Sequence, residues 1–394
     1  MRTTRWAITL VLAAAVLPVS EAQAIPAWGR RYNMNCSGCH GPAVPRLNAK
    51  GFAFKWAGYR LPEEIGENQE VKQVSDYLAA RFRFRYVWKK TQSKPADVNS
   101  FVLNDATLFV GGPVGKSFGA FFEFEHVAGE VELVNNVYGV WGKAGSYGGA
   151  RVGQMHWLLR GAVAGFDRPT GLSTAGPLGN PLTKGGVPFA FSIDELGLET
   201  FFVKDKNRLS FEVLNGISAD GKGDVAGSPS HKDFAAIDQF IYDDNGSGVT
   251  AVAYFGAIDG LDSTRGITSH YNRFSVSANK IFGKVEFLGG YAYGKDTDLP
   301  VGTKFSASSV NGSGLWGYAG YTFPSALTAF GRLDYVNSNR DVANTGNTRY
   351  VLGGVLPMNL PEYLRMAAEY TLDSPHAPAG LKRHGLTLEA MLNF

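Results

Sequence analysis

Residues 386–394 read LTLEAMLNF, and they alternate. Leu386, Leu388, Ala390, Leu392 and Phe394 share one face, and Thr387, Glu389, Met391 and Asn393 share the other. A period of two is the signature of a strand in a sheet. An apolar face that ends on a terminal Phe is how the last strand of a bacterial outer-membrane barrel usually ends. The same pattern recurs upstream in AARFRFRYVWKK, residues 79–90: Phe82, Phe84, Tyr86 and Trp88 face one way, and Arg81, Arg83 and Arg85 the other. Aromatics backed by arginines fit a wall with lipid on one side and a wet lumen on the other. GAFFEFEHVAG sets Phe122 and Phe124 against Glu123 and Glu125, and SALTAFGRLDYVNS sets Leu333 and Tyr335 against Arg332 and Asp334.

About sixteen such runs follow one another from residue 77 to residue 394. Short connections such as KDKN and FGK alternate with long ones at 158–189, 217–232, 258–268, 295–312, 337–346 and 372–382. Even strand numbers, short periplasmic turns and longer outer loops describe bacterial outer-membrane barrels. The fold expected is all-β: an antiparallel transmembrane barrel of about sixteen strands in the bacterial outer membrane, its outer face in lipid.

Composition agrees. Charged residues make up 19% of the 394, aromatics 13%, and glycine occurs 49 times, which suits a turn-rich β chain better than a helical enzyme. Lys plus Arg is 38 against 35 for Asp plus Glu, a net charge of +3 without long charged runs, so nucleic acid is not an expected partner. GGPVGKS at 111–117 resembles a phosphate-binding loop, but Val110 stands where that motif needs its first Gly, and a turn between strands is expected instead.

At the other end, MRTTRW is a basic opening, AITLVLAAAVLPV a short apolar core and AQA at 22–24 a small-residue cleavage pattern. Residues 1–24 therefore read as a signal peptide. Residues 25–72 form a separate segment ahead of the barrel at 73–394. That segment holds both cysteines, in NMNCSGCHGP at 33–42. Four readings compete for C-x-x-C-H. A thioredoxin-like redox motif needs a βαβ setting, which is absent. A structural zinc site needs about four ligands, and no second Cys/His pair lies close by in sequence. A disulfide suits an exported chain but leaves the histidine unused. Covalent haem c uses all three residues: Cys36 and Cys39 as thioethers to the vinyl groups, and His40 as proximal ligand to the haem iron.

The stretch AIPAWGRRYNMNCSGCHGPAVPRLNAKGFAFKWAGYRLP resembles the N-terminus of the fused monohaem cytochrome–porins of bacterial outer membranes. The matching positions are Cys36, Cys39, His40, Pro45, Leu47, Asn48, Gly51, Phe52, Phe54, Gly58 and Tyr59, all within residues 24–62; Lys50 departs, since the family tends to carry an aromatic there. The resemblance implies electron transfer across the outer membrane through one haem. The implied partners are an extracellular donor such as Fe(II) and a periplasmic electron-carrier cytochrome.

A segment of this size needs help from a cofactor or a partner to fold. Trp28, Phe52, Phe54, Trp56 and Tyr59 are expected around the haem, and the segment is expected in the barrel mouth. Arg81, Arg83 and Arg85 are candidates for the haem propionates. Neither Met nor another His follows His40 before residue 125, so a distal ligand has to come from the barrel. Met155 is the first candidate, and His126 and His156 stand behind it. Two other functions compete: a diffusion porin whose haem segment is a structural plug, and a haem enzyme or sensor on a barrel scaffold. Asp167, Asp224, Asp262, Asp296, Asp298 and Asp341 in the long loops are candidate cation contacts, set against the ordinary use of Asp in turns.

Overall fold

The computed structural model describes residues 26–41, 46–92, 98–127, 130–155, 172–218, 221, 231–261, 266–301, 307–359, 363–377 and 380–394. Residues 1–24, Pro45, His156, Asp167, Asp224 and Asp262 lie outside them. Sixteen antiparallel strands close into one barrel, each paired with its neighbours in sequence, and the ring shuts between the first and the last. They are β1 (Leu78–Thr91), β2 (Val98–Val114), β3 (Phe118–Val127), β4 (Glu130–Lys143), β5 (Ser146–Met155), β6 (Glu195–Lys204), β7 (Asn207–Leu214) and β8 (Asp233–Ile241), then β9 (Gly248–Asp259), β10 (Thr268–Phe282), β11 (Val285–Thr297), β12 (Val310–Thr322), β13 (Thr328–Asn337), β14 (Gly346–Asn359), β15 (Tyr363–Pro375) and β16 (Arg383–Asn393). Closure uses the alternation read from the sequence. Arg81 lies opposite Asn393 and Phe82 opposite Leu392, so the arginine face of β1 continues the Glu389–Met391–Asn393 face of β16.

Alternation sorts the two surfaces. Phe84, Phe124, Leu333 and Leu388 are exposed on the outside, while Arg83, Glu123, Arg332 and Glu389 are buried on the inside. Large aromatics gather outside at the short-turn end: Phe118, Trp141, Phe202, Phe240, Phe282 and Tyr321 are all exposed, and Phe82 stacks on Phe394 at 5.8 Å. An apolar outer band with an aromatic girdle is what a closed barrel needs to sit in a bilayer, because closure leaves no unpaired strand edge in the hydrocarbon. The chain is thus an outer-membrane barrel that crosses with strands. GGPVGKS is the end of β2 and its turn, as expected.

One long connection departs from expectation. Residues 172–194, assigned to an outer loop with a strand beginning at 190, fold into the bore instead. Leu178, Leu182, Val187, Phe189 and Phe191 are buried in one cluster with wall residues such as Ile237, Tyr254 and Tyr271. Wall charges hold the loop by its backbone and by the Thr183 hydroxyl. Arg273 donates to Asp296 at 2.6 Å and to Thr183 at 3.0 Å, and Asp296 accepts from the Val187 amide. Arg332 donates to the Ser173 carbonyl at 2.9 Å, and Asp334 accepts from the Gly176 amide at 3.0 Å. The short helix Gly176–Gly179 lies against β11, β12 and β13.

Candidate functional site: the N-terminal segment inside the bore

The segment ahead of β1 lies inside the barrel at the short-turn end. Two helices frame it, α1 (Pro26–Tyr32) and α2 (Ala49–Trp56), with a tight turn at Cys36–Gly38 between them. Its apolar residues share a second cluster with the wall: Phe52, Phe54, Trp56 and Tyr59 pack with Phe109 of β2, Phe121 of β3, Tyr138 of β4, Tyr147 of β5, Phe201 of β6 and Ile241 of β8. Tyr59 is the hub, with ring centroids 4.9 Å from Trp28, 5.2 Å from Phe121 and 5.4 Å from Tyr138. Burying several aromatic side chains, each about 1.5–3 kcal/mol, offsets the ordering of a segment too short to build its own core. The aromatics expected around the cofactor therefore face the wall.

Backbone ties fix the position. Gln69 and Gly115 exchange two hydrogen bonds at 3.0 Å, Arg60 donates to the Lys116 carbonyl at 2.7 Å and to the Phe118 carbonyl, and Trp28 donates to the Gly111 carbonyl at 3.0 Å. Across the bore, the Ala49 amide donates to the Asp244 carbonyl at 3.2 Å, and Arg46 pairs with Glu286 while its guanidinium lies 4.5 Å from the Tyr318 ring centre. The segment thus spans the bore from β2–β3 to β11–β12. Contact with the wall is close enough to need glycine: a Cβ on Gly119 would lie 2.0 Å from the Gly58 carbonyl oxygen.

The C-x-x-C-H turn is built by its neighbours. Asn48 Nδ2 donates to the carbonyls of Ser37 at 3.1 Å and Gly38 at 3.2 Å, while its Oδ1 accepts from the Gly51 amide at 2.9 Å and caps α2. The Asn48 amide donates to the Cys39 carbonyl at 3.0 Å. His40 pairs with Leu47 in a short bridge, and its Nδ1 lies 3.1 Å from the Arg46 carbonyl. That contact assigns the proton to Nδ1, so the lone pair sits on Nε2, the form in which imidazole binds a metal. Cys39 carries a half-buried free thiol, and burial raises its pKa against the pull of Lys50. Lys50, the residue that departs from the family pattern, is exposed and donates to the Met34 sulfur at 3.1 Å beside the turn. Two cysteine residues on one tight stretch of backbone, a histidine whose ring is oriented by a carbonyl, and a scaffold that holds both are what covalent haem c asks of a chain. The residues present fit that group.

Among the described residues, the structure does not bring the other candidates to this turn. Arg81, Arg83 and Arg85 face inward, but wall carboxylates take them: Arg81 binds Asp105, Glu123 and Glu125 at 3.0 Å each, Arg83 binds Asp105 and Glu125, and Arg85 binds Glu389 at 2.7 Å. Met155 is fully buried in the cluster under the inward loop, at the far end of β5 from Tyr147. Eight residues of strand, about 26 Å, separate those two ends. His126 shares the outward face of β3 with Phe122 and Phe124. Asp296 holds the inward loop, Asp298 accepts from His270 at 3.0 Å and Asp341 accepts from Asn311 at 2.8 Å. Sequence reasoning missed Lys55 of α2, which lies among Arg151, Arg208 and Glu199 of the wall.

The fold is that of the outer-membrane porins. It is similar to OmpF of Salmonella typhi, solved in complex with daunomycin (13% identity, TM-score 0.57, covering 80% of this chain and 97% of that one). It is also similar to an anion-selective porin from Comamonas acidovorans (11%, 0.56, 80% and 98%) and to the outer membrane channel DcaP of Acinetobacter baumannii (12%, 0.54, 81% and 96%). The likeness takes in nearly all of each porin and leaves about a fifth of this chain without a counterpart, as much as precedes β1. No family model matches the chain, and no curated protein matches it.

Proposed function

We propose that the barrel carries one covalent haem c on Cys36 and Cys39, with His40 as proximal ligand, and passes electrons rather than solutes across the outer membrane. The observation that carries this reading is the place of the C-x-x-C-H turn: it belongs to a segment packed inside the bore and tied to strands on opposite sides. A haem held there supplies a one-electron iron centre within the thickness of the membrane. Cys36 and Cys39 anchor it, the Arg46 carbonyl orients His40, and the aromatic cluster limits water. The segment at the short-turn end and the inward loop toward the other end both fill the lumen, which favours electrons over solutes as cargo. The donor on the outer side is a one-electron reductant such as Fe(II), and the acceptor is a periplasmic cytochrome.

A second reading rests on the fold: porins of this architecture are channels, and the loop held by Arg273 and Arg332 then narrows a pore lined by wall charges. Two measurements separate the readings. Intact-mass analysis of purified protein should show one added haem, and anaerobic Fe(II) should shift its absorption bands to the reduced form. Protein without haem that gives open-channel currents in planar bilayers overturns the electron-transfer reading.

A further inference from the structure

The sequence offers three arginines for the haem propionates, and the structure matches all three with carboxylates. The charge bookkeeping comes out differently beneath α2. There Arg151 pairs with Glu199 at 2.8 Å and with Glu212 at 3.4 Å, and Arg208 pairs with the same Glu199 at 2.8 Å. Arg151 also lies 5.8 Å from the Tyr138 ring centre and Arg208 4.5 Å from that of Phe201, which places both under the segment's aromatic cluster. Two arginines thus use two glutamates. Lys55 enters this group from α2 as a third cation. It makes no ion pair or hydrogen bond with the described residues, and the carboxylate that attracts it, Glu199, is already shared by both arginines.

Lys55 is half-buried, and an ammonium partly withdrawn from water is unfavourable unless an anion joins it or it loses its proton. Burial, reinforced by Arg151 and Arg208, pushes the amine down to about 7, so an added anion would restore its charge. The same helix carries Gly51, whose backbone touches the Cys39 carbonyl. Lys55 stands four residues on, hence on the same helix face and one turn, about 6 Å, along the axis from the cysteine turn. An anchored haem brings two carboxylates on its edge into this neighbourhood.

We infer that Lys55 is the residue that pairs with a haem propionate, the ion pair compensating the one cation that the Arg151–Glu199–Arg208–Glu212 group leaves unmatched. This rests on the haem reading above and names a contact for it; Arg81, Arg83 and Arg85 then belong to the wall. A positive charge beside the propionate favours the reduced iron, so its removal lowers the midpoint potential.

The test uses the full-length holoprotein in detergent. Intact mass first establishes one haem in the parent, Lys55→Met and Lys55→Arg, and redox titration then gives each midpoint potential. The expected result is a lower potential in Lys55→Met and a value near the parent's in Lys55→Arg. Haem-loaded Lys55→Met with the parent's potential overturns the pairing alone, as does Lys55→Arg falling as far as Lys55→Met. A parent protein without covalent haem overturns the functional reading and the pairing with it.

Discussion

Gly51 passes so close to Cys39 that a methyl group on it would stand 2.1 Å from the Cys39 carbonyl oxygen and 3.0 Å from its carbonyl carbon. Both atoms are backbone, so neither can swing aside. Gly51→Ala should push α2 off the cysteine turn, with an overpacking penalty of about 1–3 kcal/mol felt by the segment and not by the wall. The expected outcome is a several-fold loss of covalent haem per barrel, read from the ratio of haem absorbance to protein, with strand content by circular dichroism unchanged. Normal haem loading in Gly51→Ala would contradict the close approach.

Asn48 does two tasks with one side chain, and two substitutions separate them. Asn48→Ala removes the cap on α2, worth about 1 kcal/mol, together with the bonds to the Ser37 and Gly38 carbonyls. Asn48→Asp keeps an acceptor for the Gly51 amide but turns an acceptor toward two carbonyls. Haem retention after denaturing purification should fall in both, while protease resistance of the α2 region should fall in Asn48→Ala and persist in Asn48→Asp. Equal haem retention in all three proteins would show that the turn stands without Asn48.

The pH dependence of the haem-free protein follows from Lys55. In Cys36→Ala/Cys39→Ala no propionate is present, and the folded amine titrates near 7 against an ordinary 10.5. Between those values the unfolded chain holds a proton that the folded chain lacks, so stability rises with pH across that window. The burial penalty is fully present below about pH 7 and gone above 10.5. Thermal unfolding in detergent should therefore gain more between pH 7 and pH 10 in this variant than in the same variant carrying Lys55→Met. Parallel curves would refute the burial of that amine.

Much of the fold is legible in the sequence because lipid and lumen impose opposite chemistry on alternate residues. The Arg81–Arg83–Arg85 face and the apolar face ending at Phe394 declare a wall before any pairing is known, and each of the sixteen strands overlaps a run of alternation, with β6 starting five residues later than that run at Glu195. The inward loop is hidden for a physical reason. Its Gly, Pro and Thr content reads as surface connection, and only the row Leu178, Leu182, Val187, Phe189 and Phe191 signals burial. The haem motif is legible as local spacing. Its charge partners are not, because Arg85 finds Glu389 only when the barrel closes, 304 residues away in the chain. Lys55 hides among ordinary helix lysines: Lys50, five residues earlier, is exposed, and only the packing of α2 against β5–β7 sets the two apart.

Transmembrane electron flow in sealed vesicles tests the central claim most directly. Purified protein is reconstituted into vesicles that enclose ferricyanide, and a membrane-impermeant reductant is added outside. The account predicts bleaching of the internal ferricyanide at a rate set by the amount of protein, without release of a trapped small sugar. In His40→Ala, whose barrel should keep its heat-modifiable mobility on gels, the bleaching should stop. Bleaching that persists unchanged in His40→Ala, or parent vesicles that leak the sugar and move no electrons, would contradict it.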